Sequence, residues 1–288
     1  MRLNHKTLFC ITNEAHEATN KLLEAACQNR GVAYVPIDPD FFRYDAPPAL
    51  DGNMLYRVEK TKQAKTVEQF LLFYNSVATF YRTPMHGIAK LDNVIAATML
   101  HEHSGIPIPK TFYGLPMSDQ LEEVVASLGG FPIILKAVGG SHGLGVMRID
   151  SIASLRSVAD YLRMGTNQTQ FILRHYIDVL NSARLIVLGD RVIDSIQYMA
   201  PSGDFRSNAG VSPRVTAKRF SGTIEDVAKK AVSMLGWEFG GVDILIDADE
   251  KSYVIEVNLP CFFPRCQNIT GVDIAGKMVD YLLEKTRS

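Results

Sequence analysis

The sequence predicts an α/β (α+β) protein in which a small βαβ unit opens the chain and a larger unit, built around two β-hairpins, follows it. Three observations predict this. The first stretch runs extended, helical and extended again; a glycine-rich turn joins two strand-like runs near the middle; and a second pair of extended runs near the end places acidic and amide side chains on one face.

Composition sets the outer limits. At roughly 100–200 residues per domain, the 288 residues suggest about two domains, and 47% hydrophobic residues suffice for a packed core, which excludes disorder. Thirty Lys plus Arg against 31 Asp plus Glu leave a formal net charge of -1, so no global positive field exists to hold nucleic acid or an anionic membrane. The apolar stretch 7–12 is too short for a secretory signal, and no run approaches the roughly 18 apolar residues of a membrane span; the chain is read as cytoplasmic. Cys10, Cys27, Cys261 and Cys266 are too sparse for a disulfide framework and read as reduced thiols. Cys261 and Cys266 lack the partner pair a zinc site needs. His101 and His103 fall near a helix end, where a cation is favoured, and read as helix-end charges rather than ligands.

Taken in order, residues 7–12 are a strand, Asn13 is a cap, Leu22, Leu23 and Ala26 line one helical face, Gly31 stops that helix and residues 32–37 are extended. The first strand-to-helix turn, Asn13-Glu14-Ala15, holds no glycine, which argues against a dinucleotide-binding Rossmann unit. Residues 41–52, with Pro47 and Pro48, form a loop; residues 55–58 are a third strand; residues 67–81 have helical spacing; and Thr83-Pro84-Met85 leads out of this unit. A helix over 91–105, capped by Asp92 or Asn93 and ended by glycine, precedes a linker containing Pro107 and Pro109. Thr223 and Asp226 form a capping-box pattern ahead of Ile224, Val227, Ala228, Ala231, Val232 and Leu235, and a last helix starts at Asp273 and buries Ala275, Met278, Val279 and Leu282.

Two segments carry chemistry. Residues 131–138 and 146–149 are strand-like, and Gly139-Gly140-Ser141-His142-Gly143-Leu144-Gly145 joins them. Such a turn lets backbone N–H groups face an anion, with Lys136 on the entering strand beside the same charge; a polyphosphate fits. The Gly-Lys-Ser/Thr ending and following helix of a P-loop are missing, which excludes that fold.

Residues 241–247 and 253–258 read as a hairpin. A turn centred between Asp249 and Glu250 puts Glu256 opposite Asp243, with Asn258 two residues along on the same face, about 7 Å away. Facing like charges destabilise a sheet unless neutralised, and a hard divalent cation sharing its shell with phosphate oxygens neutralises them. Val254 is expected to continue this face and make it partly apolar.

The combination resembles the ATP-grasp superfamily, in the branch of the ribosomal-protein glutamate ligases (RimK-like) and lysine-biosynthesis ligases (LysX-like). The likeness covers roughly residues 91–283. It rests on Ile134-Leu135-Lys136 with Gly140-Ser141-His142-Gly143-Leu144-Gly145, on Gly203-Asp204-Phe205-Arg206-Ser207-Asn208, on Gly241-Val242-Asp243-Ile244-Leu245, on Glu256-Val257-Asn258 and on the run Thr270 through Lys277. The resemblance implies an ATP-grasp fold with an N-terminal pre-ATP-grasp βαβ domain over 1–88, a central subdomain with a glycine-rich lid over 89–176 and a C-terminal subdomain over 177–288. It implies an ATP-dependent carboxylate-amine ligase that forms an amide or peptide bond through an acyl phosphate. Phosphoryl transfer asks little covalent help of a protein beyond alignment and charge neutralisation.

On this resemblance Lys136 holds the α/β-phosphates, and Gly140, Ser141, Gly143 and Gly145 close as a lid. Arg174, His175, Tyr176 and Ile177 lie at the adenine hinge, Ser182 near the ribose, and Asp243, Glu256 and Asn258 bind Mg2+, with Mn2+ as an alternative ion. Arg184 and Arg206 face the γ-phosphate and acyl phosphate, where a planar fork takes two oxygens at once, and Ser207 and Asn208 complete that rim. The partners implied are small-molecule or peptide carboxylates and amines, with no nucleic acid or membrane; a homo-oligomer is left open.

The chain departs from the family at several points. Val94 stands where a lysine is usual, with Lys90 a turn earlier; His175 and Ser182 replace acidic residues; and the bulky Leu259-Pro260-Cys261-Phe262-Phe263-Pro264-Arg265-Cys266-Gln267 replaces a small glycine-containing loop beside the substrate. Ala209-Gly210-Val211-Ser212-Pro213-Arg214 likewise replaces a histidine- and glycine-rich continuation. The substrate is therefore expected to differ from that of the glutamate ligase. Arg184 also admits a bland reading as an edge-strand gatekeeper. Two further functions stay open: a small-molecule kinase on the same fold, and a nucleotide-binding regulator that has lost catalysis.

Overall fold

The computed structural model describes residues 6–83, 94–138, 144–164, 169–199 and 214–287. The front of the chain is a parallel sheet of β1 (Thr7–Ile11), β2 (Ala33–Ile37) and β3 (Met54–Arg57) in the order β2-β1-β3, with α1 (Glu17–Gln28) crossing between the first two strands. Pro36 has no N–H to give a ladder and sits in β2, at the edge. Asn13 accepts a hydrogen bond from the Ala15 amide in the turn before α1, as its cap reading requires.

The helix expected over 67–81 is instead α2 (Lys62–Tyr74). Thr61 caps its start by accepting from the Ala64 amide, and Asn75 closes its end by donating Nδ2 to the Leu71 carbonyl while Oδ1 accepts the Leu50 amide. The chain beyond is extended, with Ala78 bridging to Met54 and Tyr81 to Trp237. Apolar spacing continues past Tyr74, but an asparagine that bonds two segments at once ends the helix.

The central unit begins with α3 (Val94–His103), followed by β4 (Thr111–Tyr113), α4 (Leu121–Ser127), β5 (Ile133–Ala137), β6 (Val146–Ile149), α5 (Ile152–Met164) and β7 (Phe171–His175). Its antiparallel sheet has the order β4-β7-β5-β6. The caps Asp92 and Asn93 lie outside the described residues. His101 is not a helix-end cation: it is buried, its ring Nε2 meets the Ala231 carbonyl at 3.0 Å, and burial lowers its pKa.

The last unit holds β8 (Val179–Leu188), β9 (Arg191–Met199), β10 (Arg214–Ala217), α6 (Gly222–Met234), β11 (Phe239–Asp247), β12 (Ser252–Asn258), α7 (Pro264–Thr270) and α8 (Ile274–Lys285), with the sheet order β10-β9-β8-β11-β12. The α6 cap is Ser221 rather than a Thr223–Asp226 box, because the helix starts at Gly222. Asp273 caps α8 by accepting from the Gly276 amide.

Two cores result. One belongs to the central sheet, through Leu121, Ile133, Leu135, Leu155 and Leu173. The other runs continuously from the front unit into the last, where the rings of Tyr56, Phe80 and Phe239 pack edge-on or tilted at 5.0–6.2 Å. Lys285 fastens the same seam by donating to the Thr79 and Tyr81 carbonyls and pairing with Glu238. Among the described residues no helix is long and apolar enough to cross a membrane.

Candidate active site

The ribbon of β11 and β12 carries the site. Asp243 pairs with Glu256 and Gly241 with Asn258, so the carboxylates face each other as expected, but two compensating irregularities produce that register. Near the turn Ile246 pairs with Ser252, which centres the turn on Asp249 rather than after it. A β-bulge then leaves Ile255 without a partner and moves the register by one, returning Glu256 to Asp243. The bulge also corrects the expectation for Val254: it pairs with Ile244, each is 1% exposed, and both join the core instead of the acidic patch.

Arg184 is opposite Asp243 on the other side, with Nε to Oδ1 and Nη2 to Oδ2 both at 2.8 Å. The gatekeeper reading fails, because β8 lies between β9 and β11 and has no open edge. Attraction to Asp243 outweighs burial and holds the Arg184 pKa well above its ordinary value. From the other sheet, Lys136 on β5 reaches Glu256 Oε2 at 3.1 Å, and Asn258 Nδ2 reaches Asp243 Oδ2 at 3.3 Å.

These groups share one cleft of about 550 Å³ between the four- and five-stranded sheets. Its walls include Lys136, Arg174, His175, Tyr176, Ile177, Ser182, Arg184, Asp243, Glu256 and Asn258. Gly145 is placed behind them: its φ is +76°, a Cβ there would lie 2.9 Å from the Ala137 Cβ, and its carbonyl accepts the Ala137 amide, which explains the glycine at the foot of the turn. The His175 ring turns away to meet the Leu128 carbonyl at 2.9 Å, Tyr176 lies under the Arg148 guanidinium, and Ser182 Oγ is buried with no hydrogen-bond partner among the described residues. Gly140, Ser141, Gly143, Arg206, Ser207 and Asn208, along with Lys90, lie outside the described residues.

Val94 lines the same cleft, as do Phe262 and Arg265 from the bulky segment after Asn258; the Arg265 guanidinium sits 5.6 Å from the Tyr198 ring centroid. Arg214 is exposed on β10 and is not among the lining residues. Sequence reasoning missed Lys60 and Lys65, which bring the front unit to the cleft. Lys60 follows β3, at the carboxyl ends of a parallel sheet whose order reverses at β1, and that position was a usable signal.

The donor set suits a hard divalent ion. Two facing carboxylates and an amide oxygen are oxygen ligands, and each carboxylate is matched by a cation drawn from elsewhere, Arg184 or Lys136, so the patch is built to hold positive charge. Among the described residues no three His, Cys, Asp or Glu side chains gather as a metal-binding group; the third donor here is Asn258. Cys261 and Cys266 are buried thiols, and burial pushes Cys261 up to about 11.

Two sheets closing on one cleft, with a lysine from the first and paired carboxylates from the second, define an ATP-grasp protein, and solved ATP-grasp structures share the fold. The family model described as the RimK-like ATP-grasp domain matches residues 92–282, and the chain belongs to that family of ATP-dependent carboxylate-amine ligases. It is 29% identical over 280 residues to a probable alpha-L-glutamate ligase of Citrobacter koseri, spanning 91% of this chain and 90% of that one. It is 31% identical over 198 residues to the ribosomal protein bS6–L-glutamate ligase of Escherichia coli, spanning 68% of this chain and 64% of that one. The ATP-grasp ligase PsnB, solved with a phosphomimetic variant of its minimal precursor, Mg and ADP, superposes with a TM-score of 0.74 at 17% identity, over 98% of this chain and 99% of that one.

Proposed function

We propose that this chain forms an amide or peptide bond between a carboxylate and an amine, on an amino acid, small acid or peptide, through an acyl phosphate made at the expense of ATP. The observation that carries this reading is the row Arg184–Asp243–Glu256 across three neighbouring strands, with Lys136 entering from the facing sheet. Lys136 holds the α/β-phosphates, and Arg184, with Arg206, steadies the oxygens of the transferring phosphate. His175, Tyr176, Ile177 and Ser182 border the base and ribose, Ser182 offering a hydroxyl with no partner among the described residues, and the 139–145 turn covers the phosphates. The three units over 1–88, 89–176 and 177–288 divide this work as front wall, nucleotide wall and metal wall.

Asp243, Glu256 and Asn258 would hold Mg2+, or Mn2+ in its place, which when bound offsets the charge of the phosphates. A carboxylate oxygen of the substrate attacks the γ-phosphorus and ADP leaves; the amine nitrogen then attacks the acyl carbon, phosphate departs with the bonding pair, and the amine loses its proton. The residues' part is alignment and charge matching. Phe262 and Arg265 make the substrate end bulky and cationic, which supports a substrate other than that of the glutamate ligase.

The test supplies amino acids, small acids and short peptides in pairs with ATP and Mg2+, and follows ADP and phosphate, with hydroxylamine present to trap acyl phosphate. Hydroxamate formation with one acid is expected. A stable phosphorylated product without amine would identify a kinase, and tight ATP binding with no turnover across the panel would identify a regulator.

A further inference from the structure

The bulge that sets the acidic patch is held from the facing sheet. Ile255, the extra residue of β12, has no place in the ladder, and Arg174 Nη1 on β7 donates to its carbonyl at 3.1 Å. The same guanidinium donates Nη2 to Thr98 Oγ1 on α3 at 3.2 Å, and Thr98 Oγ1 in turn donates to the Val94 carbonyl at 2.8 Å. One residue earlier, the Val254 amide donates to the Pro107 carbonyl at 2.8 Å. Arg174 is 4% exposed and lies opposite Ile134 in the ladder, two places along β5 from Lys136. The four-stranded sheet thus grips two successive residues of the ribbon, Ile255 by its carbonyl and Glu256 by its carboxylate.

The two grips differ in kind. Lys136 holds a side chain that a divalent ion would claim, whereas Arg174 holds a backbone oxygen that no ligand needs. We infer that Arg174 is a positioning residue, which keeps Glu256 at the metal patch once Lys136 turns to phosphate. This rests on reading the cleft as a site for nucleotide and metal. An arginine suits the task because a rigid planar fork reaches two acceptors in different elements at once, which a lysine ammonium does at most loosely. Burial pulls its guanidinium down to about 10, still charged at neutral pH.

The experiment compares the full chain with Arg174→Gln and Arg174→Lys. Mn2+ binding is read by electron paramagnetic resonance at saturating AMPPNP, metal-free AMPPNP affinity by calorimetry, and amide exchange over 253–258 by mass spectrometry. In Arg174→Gln the Mn2+ Kd is expected to rise tenfold or more and amides 255–257 to exchange at least tenfold faster, with metal-free AMPPNP affinity within threefold. Arg174→Lys is expected to recover part of both. A folded Arg174→Gln with unchanged Mn2+ Kd and exchange overturns the assignment, as does a loss confined to metal-free AMPPNP affinity, which would make Arg174 a nucleotide contact. If Arg174→Gln does not fold, Arg174→Lys decides, with a threefold rise in Mn2+ Kd expected and none overturning it. Should the unaltered chain take no AMPPNP, the nucleotide reading fails, and the exchange comparison still decides the clamp.

Discussion

Arg184 on β8 and Asp243 on β11 face each other across the sheet and are joined by two parallel hydrogen bonds of 2.8 Å. Both are mostly buried, so removing one leaves the other's charge unmatched in a poorly solvated place. Asp243→Asn is expected to lower unfolding free energy by about 3 kcal/mol and to reduce ligation to background. Arg184→Gln combined with Asp243→Asn should regain more than about 1 kcal/mol relative to the summed single losses. Urea unfolding measures the stability, and ADP release the chemistry; additive losses would show that the pair is not coupled.

Lys136 on β5 pairs with Glu256 at 3.1 Å across the cleft. Lys136→Met is expected to weaken ATP binding about tenfold or more, roughly 1.4 kcal/mol, while loss of the pair with the partly exposed Glu256 leaves the thermal midpoint little changed. Isothermal titration with ATP and Mg2+ checks it, and unchanged affinity would remove the lysine from the phosphate site.

Gly241 makes room for the loop that follows Asn258. A Cβ at this position would lie 2.3 Å from Cys261 Sγ. Gly241→Ala is expected to destabilise by about 1–3 kcal/mol through overpacking, and Cys261→Ala in the same chain should recover most of that loss. Thermal unfolding of the three variants measures it; failure of the second substitution to help would place the strain elsewhere.

His101 makes stability depend on pH. Its pKa is depressed by burial in the folded state, so below about 6.5 the unfolded chain binds the extra proton first. The stabilising contribution is complete above that value and is lost as pH falls through the folded pKa, with a slope of at most about 1.4 kcal/mol per pH unit. His101→Gln keeps a donor for the Ala231 carbonyl and should flatten the fall in thermal midpoint between pH 7.5 and 5.5. An equal fall in both chains would assign it to other groups.

Much of the site was legible because its parts are local. Strand alternation put Glu256 and Asn258 on one face, and the turn between them and Asp243 is short. The expectation still reached the right pair through two errors of one residue that cancel: the turn centre follows hydrogen bonds made to Asp247 within the turn, and the bulge is met from outside the hairpin by Arg174. Val254 shows the difference: alternation placed it with the acids, and packing against Ile244 took it into the core. The end of α2 was missed because Asn75, which closes the helix on the Leu71 carbonyl, also holds the Leu50 amide, far away in sequence.

By itself the sequence determined the residue types and the placing of Glu256 and Asn258 on one face of their strand, because backbone periodicity is a property of neighbouring residues. Tertiary structure decided which cation answers each carboxylate, that Lys60 and Lys65 reach the cleft, and that Arg174 secures the bulge. Those outcomes depend on how two cores and three sheets settle against one another, and burial of apolar surface between distant segments sets that arrangement without leaving a local pattern.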